Sequence, residues 1–176
     1  MPLAMLLTLA IFIAACMIVD VRSRRIPNAV SGTAILVGLA LNTAYFGMHG
    51  LLTSLAGCAA AIAVLFVPFA LGGIGAGDVK MMGAVGAFLG PRLAITGLLV
   101  GMLIGGLIMV VHLARQGRLR EKLSATAAMV TGALATGSLT PLQRSAAEPS
   151  AIALPYSVPL GLGTMAVVAV CEALRF

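Results

Sequence analysis

Charge is the scarcest property of this chain. Only 9% of its 176 residues are Asp, Glu, Lys or Arg, and five are acidic; a soluble domain is about a quarter charged. With 61% of residues hydrophobic, the composition excludes an ordinary soluble domain and points to a membrane protein. Regular apolar–polar alternation is also lacking, which excludes a transmembrane β-barrel. The spans are therefore expected to be helices. Cysteine is sparse as well. Cys16, Cys58 and Cys171 are far apart and form no CxxC, so neither a zinc site nor a disulfide framework is indicated. No metal and no cofactor are expected, and no repeat of solenoid period is found. The first apolar run, Leu3 to Val19, has no Lys or Arg before it. It therefore reads as a spanning helix and not as a cleaved signal peptide.

What the chain does have is a succession of long apolar runs. After Leu3 to Val19 come Ala29 to Phe46, Leu51 to Leu71, a short helix over Val79 to Leu89, Leu93 to His112, and Tyr156 to Leu174. A spanning helix needs about 20 mostly apolar residues, so the expectation is an all-α polytopic bundle of about six transmembrane helices. Gly47 to Gly50 is read as a turn, Pro68 as a kink, Gly72 to Gly77 as a glycine-rich connection, and Gly90-Pro91-Arg92 as the end of the short helix. Ser124 to Leu139 is only mildly apolar and is expected to lie on the membrane or dock on the bundle; a seventh span there would put the C-terminus inside. Residues 1–176 are treated as one transmembrane domain, with 114–153 a cytoplasmic or interfacial loop region within it.

The net charge is +6. Such an excess often marks a nucleic-acid binder. Here the basic residues cluster in two loops: Arg22, Arg24 and Arg25 after the first run, and Arg115, Arg118, Arg120 and Lys122 after the fifth. Both fall on the same side when the spans are threaded, and basic loops mark the cytoplasmic side. Attraction to anionic lipid heads is an added possibility, and no nucleic-acid partner is expected. Both termini are then outside. Pro27 ends the first connection, and Asn28 or Ser31 is placed to cap the next helix.

Two of the five acids abut apolar runs. Asp20 ends the first, and Asp78 lies in Gly72-Gly73-Ile74-Gly75-Ala76-Gly77-Asp78-Val79-Lys80. Each alone suits a helix end, Asp78 as an N-cap. Together they fall on one membrane face, where ionisable groups are candidates for function. Two neighbouring carboxyls titrate as a unit, one keeping a proton while the other is charged. With a water between them they form a general acid–base pair able to hydrolyse a peptide bond. Gly75 and Gly77 lack a Cβ, so the backbone there is free to approach a substrate strand or to take positive φ. Lys80 is a partner for a carboxylate or substrate group, or a snorkelling surface lysine.

Gly75-Ala76-Gly77-Asp78 matches the GxGD signature of intramembrane aspartyl proteases. Its continuation to Gly90 resembles the type IV prepilin peptidase form, and Asp20 with Arg25-Ile26-Pro27-Asn28 resembles that family's first catalytic segment. Leu154-Pro155-Tyr156 with Pro159 and Gly161 resembles the start of its last helix. The resemblance implies an inner-membrane aspartyl endopeptidase. Its partners would be membrane lipids and a prepilin, engaged through its basic leader and hydrophobic N-terminal helix. Asp20 and Asp78 would be the catalytic pair, with cleavage after a glycine at the cytoplasmic face. The absence of CxxC resembles the short, peptidase-only forms serving tight-adherence (Flp) pili, without N-methyltransferase activity. Two other classes compete: a small ion-coupled transporter, whose charges belong near the midplane, and a non-catalytic pilus or secretion scaffold. The oligomeric state is not legible.

Overall fold

The computed structural model describes residues 1–23, 27–71, 73–136 and 156–174. The regular elements among them are all helices: α1 (Leu3–Ser23), α2 (Asn28–Ala70), α3 (Ala76–Arg115), α4 (Leu119–Thr136) and α5 (Ser157–Ala173). By length and composition α1, α2 and α3 are able to cross a membrane, and α5 is a shorter apolar helix. The chain is an all-α polytopic membrane protein. Arg24, Arg25, Ile26, Gly72, Pro141 to Ser150 with Arg144 and Glu148, Leu154, Pro155 and Arg175 lie outside the described residues.

At 43 and 40 residues, α2 and α3 would each run about 60 Å if straight, twice a hydrocarbon core of about 30 Å. Neither is straight. Gly47 (φ 62°, ψ −145°) breaks α2 and Gly90 (φ 74°, ψ 175°) breaks α3. Both hold a positive φ that glycine takes without steric cost. Beyond Gly47 the chain doubles back, so that a Cβ on Gly50 would lie 2.1 Å from the Asn42 carbonyl oxygen. The two hairpins plus α1 and α5 make six apolar segments. The turn expected over Gly47 to Gly50 is therefore a single residue, with helix resuming at Met48. At the second break helix resumes at Pro91, whose fixed φ and missing N–H suit a helix start. Pro68 lies close to the end of α2 and does not break it; the non-helical angles are at Gly47.

The segment 76–89 is the centre of the bundle. Asp78, Val79 and every residue from Met81 to Phe88 are buried. Its glycines lie on one face at helical spacing and meet α2 in antiparallel order. Gly83 packs on Ile62, Gly86 on Gly57, and Gly90 on Thr53. At the crossing a Cβ on Gly57 would lie 2.1 Å from the Gly86 carbonyl oxygen, so the two backbones touch. A second stripe, Gly97, Gly101 and Gly105, meets Thr164, Leu160 and Pro159 of α5. Close approach through small residues is how helices pack in lipid, where no hydrophobic drive separates one apolar face from another. Many large apolar side chains also face outward: Leu36, Phe66, Leu103 and Leu107 are each more than half exposed, a surface for lipid tails.

Two buried polar side chains, Asn42 and Ser54, lie at the Gly47 and Gly90 end. Pro91 has no N–H to give the carbonyl of Ala87 one turn earlier. Ser54 Oγ donates to that oxygen, and Asn42 Nδ2 donates to Ala87 O at 2.8 Å and Phe88 O at 3.1 Å. The carbonyls freed by the break are thus satisfied from both arms of the α2 hairpin, as lipid requires. Among the described residues α4 touches α3 alone and is not among the helices apolar enough to cross a membrane. It begins before the expected Ser124, at Leu119, and is described to Thr136.

Candidate active site

The opposite end of the bundle gathers what chemistry the chain carries. α1 and α5 run antiparallel: the Met1 ammonium meets Glu172 Oε1 at 2.6 Å at one end, and Ser157 Oγ meets Asp20 Oδ2 at 2.6 Å at the other. Tyr156, just before α5, and Pro159 of α5 lie against Gly105, and Lys80 Nζ reaches Asn28 Oδ1 at 2.6 Å. These contacts bring the end of α1, the starts of α2, α3 and α5, and the far arm of α3 to one face.

Asp78 stands in the first turn of α3. The residue preceding the helix is Gly75, extended at φ −74° and ψ 147°, with no side-chain cap. Asp78 is therefore three positions inside the helix and not its N-cap. A carboxylate there faces the free N–H groups and the positive end of the helix dipole. The Gly75 backbone is its hydrogen-bonding neighbour, the geometry of the acidic half of a capping box. Asp78 is 8% exposed. Asp20 lies in the last turn of α1, half-buried, with Oδ2 taken up by Ser157. The two carboxylates interact electrostatically, and the buried thiol of Cys16, one turn before Asp20, feels both. Among the described residues neither carboxylate has a cation within ion-pair distance.

The other residues singled out in the sequence divide. Lys80 joins Asn28 and not a carboxylate, and so ties the start of α3 to the start of α2. Asn28 does not cap α2: the residue before the helix is Pro27, without a side-chain cap, and Ser31 Oγ donates to the Asn28 carbonyl at 3.3 Å. The two side chains that were free to cap are spent elsewhere, and Pro27 supplies the extended entry. Gly75 and Gly77 do not take positive φ; among the described residues that geometry falls to Gly47, Gly90 and Gly117. A Cβ on Gly75 would reach Asp78 Oδ2 at 3.4 Å, so its bareness keeps space open beside the carboxylate. Arg25 is outside the described residues. Ser157 was not singled out. Its only signal was a hydroxyl at the start of the last apolar run, which means little without a partner.

The described residues thus form an all-helical bundle in which Asp20 and Asp78 lie toward the same end. A model of the type IV leader peptidase family matches residues 7–110, a stretch holding both Asp20 and Asp78. The chain belongs to that family and is a peptidase. No curated protein and no solved structure matches it.

Proposed function

We propose that this protein is an aspartyl endopeptidase of the inner membrane that removes the basic leader of type IV prepilin-like proteins at the cytoplasmic face. Asp20 and Asp78 share one water. The charged carboxyl takes a proton from the water as its oxygen attacks the scissile carbonyl carbon. The protonated carboxyl gives its proton to the carbonyl oxygen, and proton return to the amide nitrogen releases the new N-terminus. The roles belong to the pair and not to either residue alone. The observation that carries this is the convergence of acids from α1 and α3 in a bundle otherwise short of charge. Basic residues lie toward the same end, Arg22 just past Asp20 and Arg115 in the last turn of α3, which supports a cytoplasmic site. A transporter is disfavoured because the acids stand in the end turns of α1 and α3, away from the break at Gly90, and not at a mid-helix break. The lack of CxxC supports a peptidase without methyltransferase activity.

The test is co-expression with a prepilin and mass spectrometry of the product. Leader loss after a glycine and an unmethylated N-terminus are expected. Asp20→Asn and Asp78→Asn should each abolish cleavage at unchanged protein level. Full cleavage by either variant rejects the assignment.

A further inference from the structure

The Ser157–Asp20 contact reaches beyond the carboxylate pair itself. Asp20 is badly placed by its own helix, since the last turn of α1 presents the negative end of the helix dipole. What offsets this comes from α5. Ser157 occupies its first turn, fully buried at 0% exposure, and its hydroxyl proton goes to Asp20 Oδ2 at 2.6 Å. Of the other hydroxyls, Ser54 also crosses to a neighbouring helix, but onto a backbone carbonyl. Those of Thr8, Thr33, Thr43, Thr53, Thr96 and Thr164 turn back onto a carbonyl one turn earlier in their own helix. Ser157 begins its helix and lacks such a carbonyl one turn back within it, so it crosses to α1.

The register of that crossing is built in. Gly161, one turn along α5, lies over Ile13 and Met17; a Cβ there would sit 2.8 Å from Ile13 Cγ2 and 2.9 Å from Met17 Sδ. The absent side chain lets α5 close on α1 at the depth that brings Ser157 level with Asp20.

We infer that Ser157 is a positioning residue for Asp20. It fixes the carboxylate rotamer and occupies Oδ2, so that Oδ1 is the oxygen turned to the shared water. This rests on the peptidase reading above. The closing experiment is steady-state cleavage of a prepilin substrate by the purified full-length protein across pH, with wild type, Asp20→Asn, Ser157→Ala and Ser157→Cys. Loss of a hydrogen bond to a charged group should lower kcat in Ser157→Ala about tenfold. KM should stay within about twofold, because a group acting only through Asp20 contributes no uniform binding, and the pH–rate curve should be displaced. Ser157→Cys, similar in size but a weaker donor, should fall between wild type and alanine, and decides the matter should the alanine variant not accumulate. Wild-type kcat with an unmoved pH curve in either Ser157 variant overturns the inference while leaving the peptidase reading intact. An inactive wild type, or an active Asp20→Asn, overturns the peptidase reading itself.

Discussion

The two ends of this bundle treat the same problem in opposite ways. At the end holding Gly47 and Gly90, polar side chains are consumed by backbone. Asn42 Nδ2 and Ser54 Oγ donate to the carbonyl that Pro91 leaves unpaired, so their donor hydrogens are spent on backbone. At the other end, polar side chains answer one another. Asp20 and Asp78 keep oxygens uncommitted to any cation among the described residues, and Ser157 and the Gly75 backbone support one each. A buried polar group costs much the same wherever it lies. Where side-chain donors are spent on backbone, the result is a rigid joint; where carboxylate oxygens are left over, there is room for a water and a reaction. The packing differs in the same sense. α2 and α3 pack together along their hairpins, whereas α1, which carries Asp20, touches them sparingly.

Several substitutions would sharpen or break this contrast. The largest effect should come from the carboxylates. Asp20→Asn or Asp78→Asn should cut cleavage by about 100-fold to 10,000-fold, the usual worth of a general acid or base, while thermal unfolding in detergent barely moves. A variant that unfolds early but still cleaves would reverse the roles assigned to the two ends. Next is Gly57→Ala. Its methyl would press on the Gly86 carbonyl, and backbone cannot swing aside as a side chain can. A loss of about 3 kcal/mol, the upper range for overpacking, is expected by equilibrium unfolding.

Asn42→Leu should follow at about 2 kcal/mol, the cost of buried carbonyls without donors. Cleavage per folded molecule should stay at the wild-type level; if it collapses instead, the ends are coupled and the contrast is false. Lys80→Met should do least. The Lys80–Asn28 contact is exposed, and such contacts contribute about 1 kcal/mol or less. A small drop in melting temperature with near-normal cleavage is expected, and a loss of activity as large as that of Asp78→Asn would place Lys80 in the chemistry.

Much of this was readable in the sequence because membrane spans are written in one dimension. Long apolar runs and glycine breaks place the helices, and the foldbacks at Gly47 and Gly90 fall close to the expected turns. The errors were local. The sequence offers Asn28 or Ser31 as the cap of α2, but Asn28 accepts from Lys80 and Ser31 donates to a backbone carbonyl instead. Asp78 was read as able to cap α3, yet the helix starts earlier, at Ala76. Helix ends depend on competition among weak local bonds, and composition carries little information about which wins.

By itself the sequence determined that this protein is an apolar helical chain with two isolated acids at the margins of its spans. Hydropathy and charge are properties of residues in order, and lipid enforces them segment by segment. Which residues meet across helices was decided only in three dimensions. Ser157 reaches Asp20, and Asn42 and Ser54 converge on Ala87, because absent side chains at Gly161, Gly57 and Gly86 let particular helix faces close on one another. That register belongs to pairs of helices, and no single stretch of chain contains it.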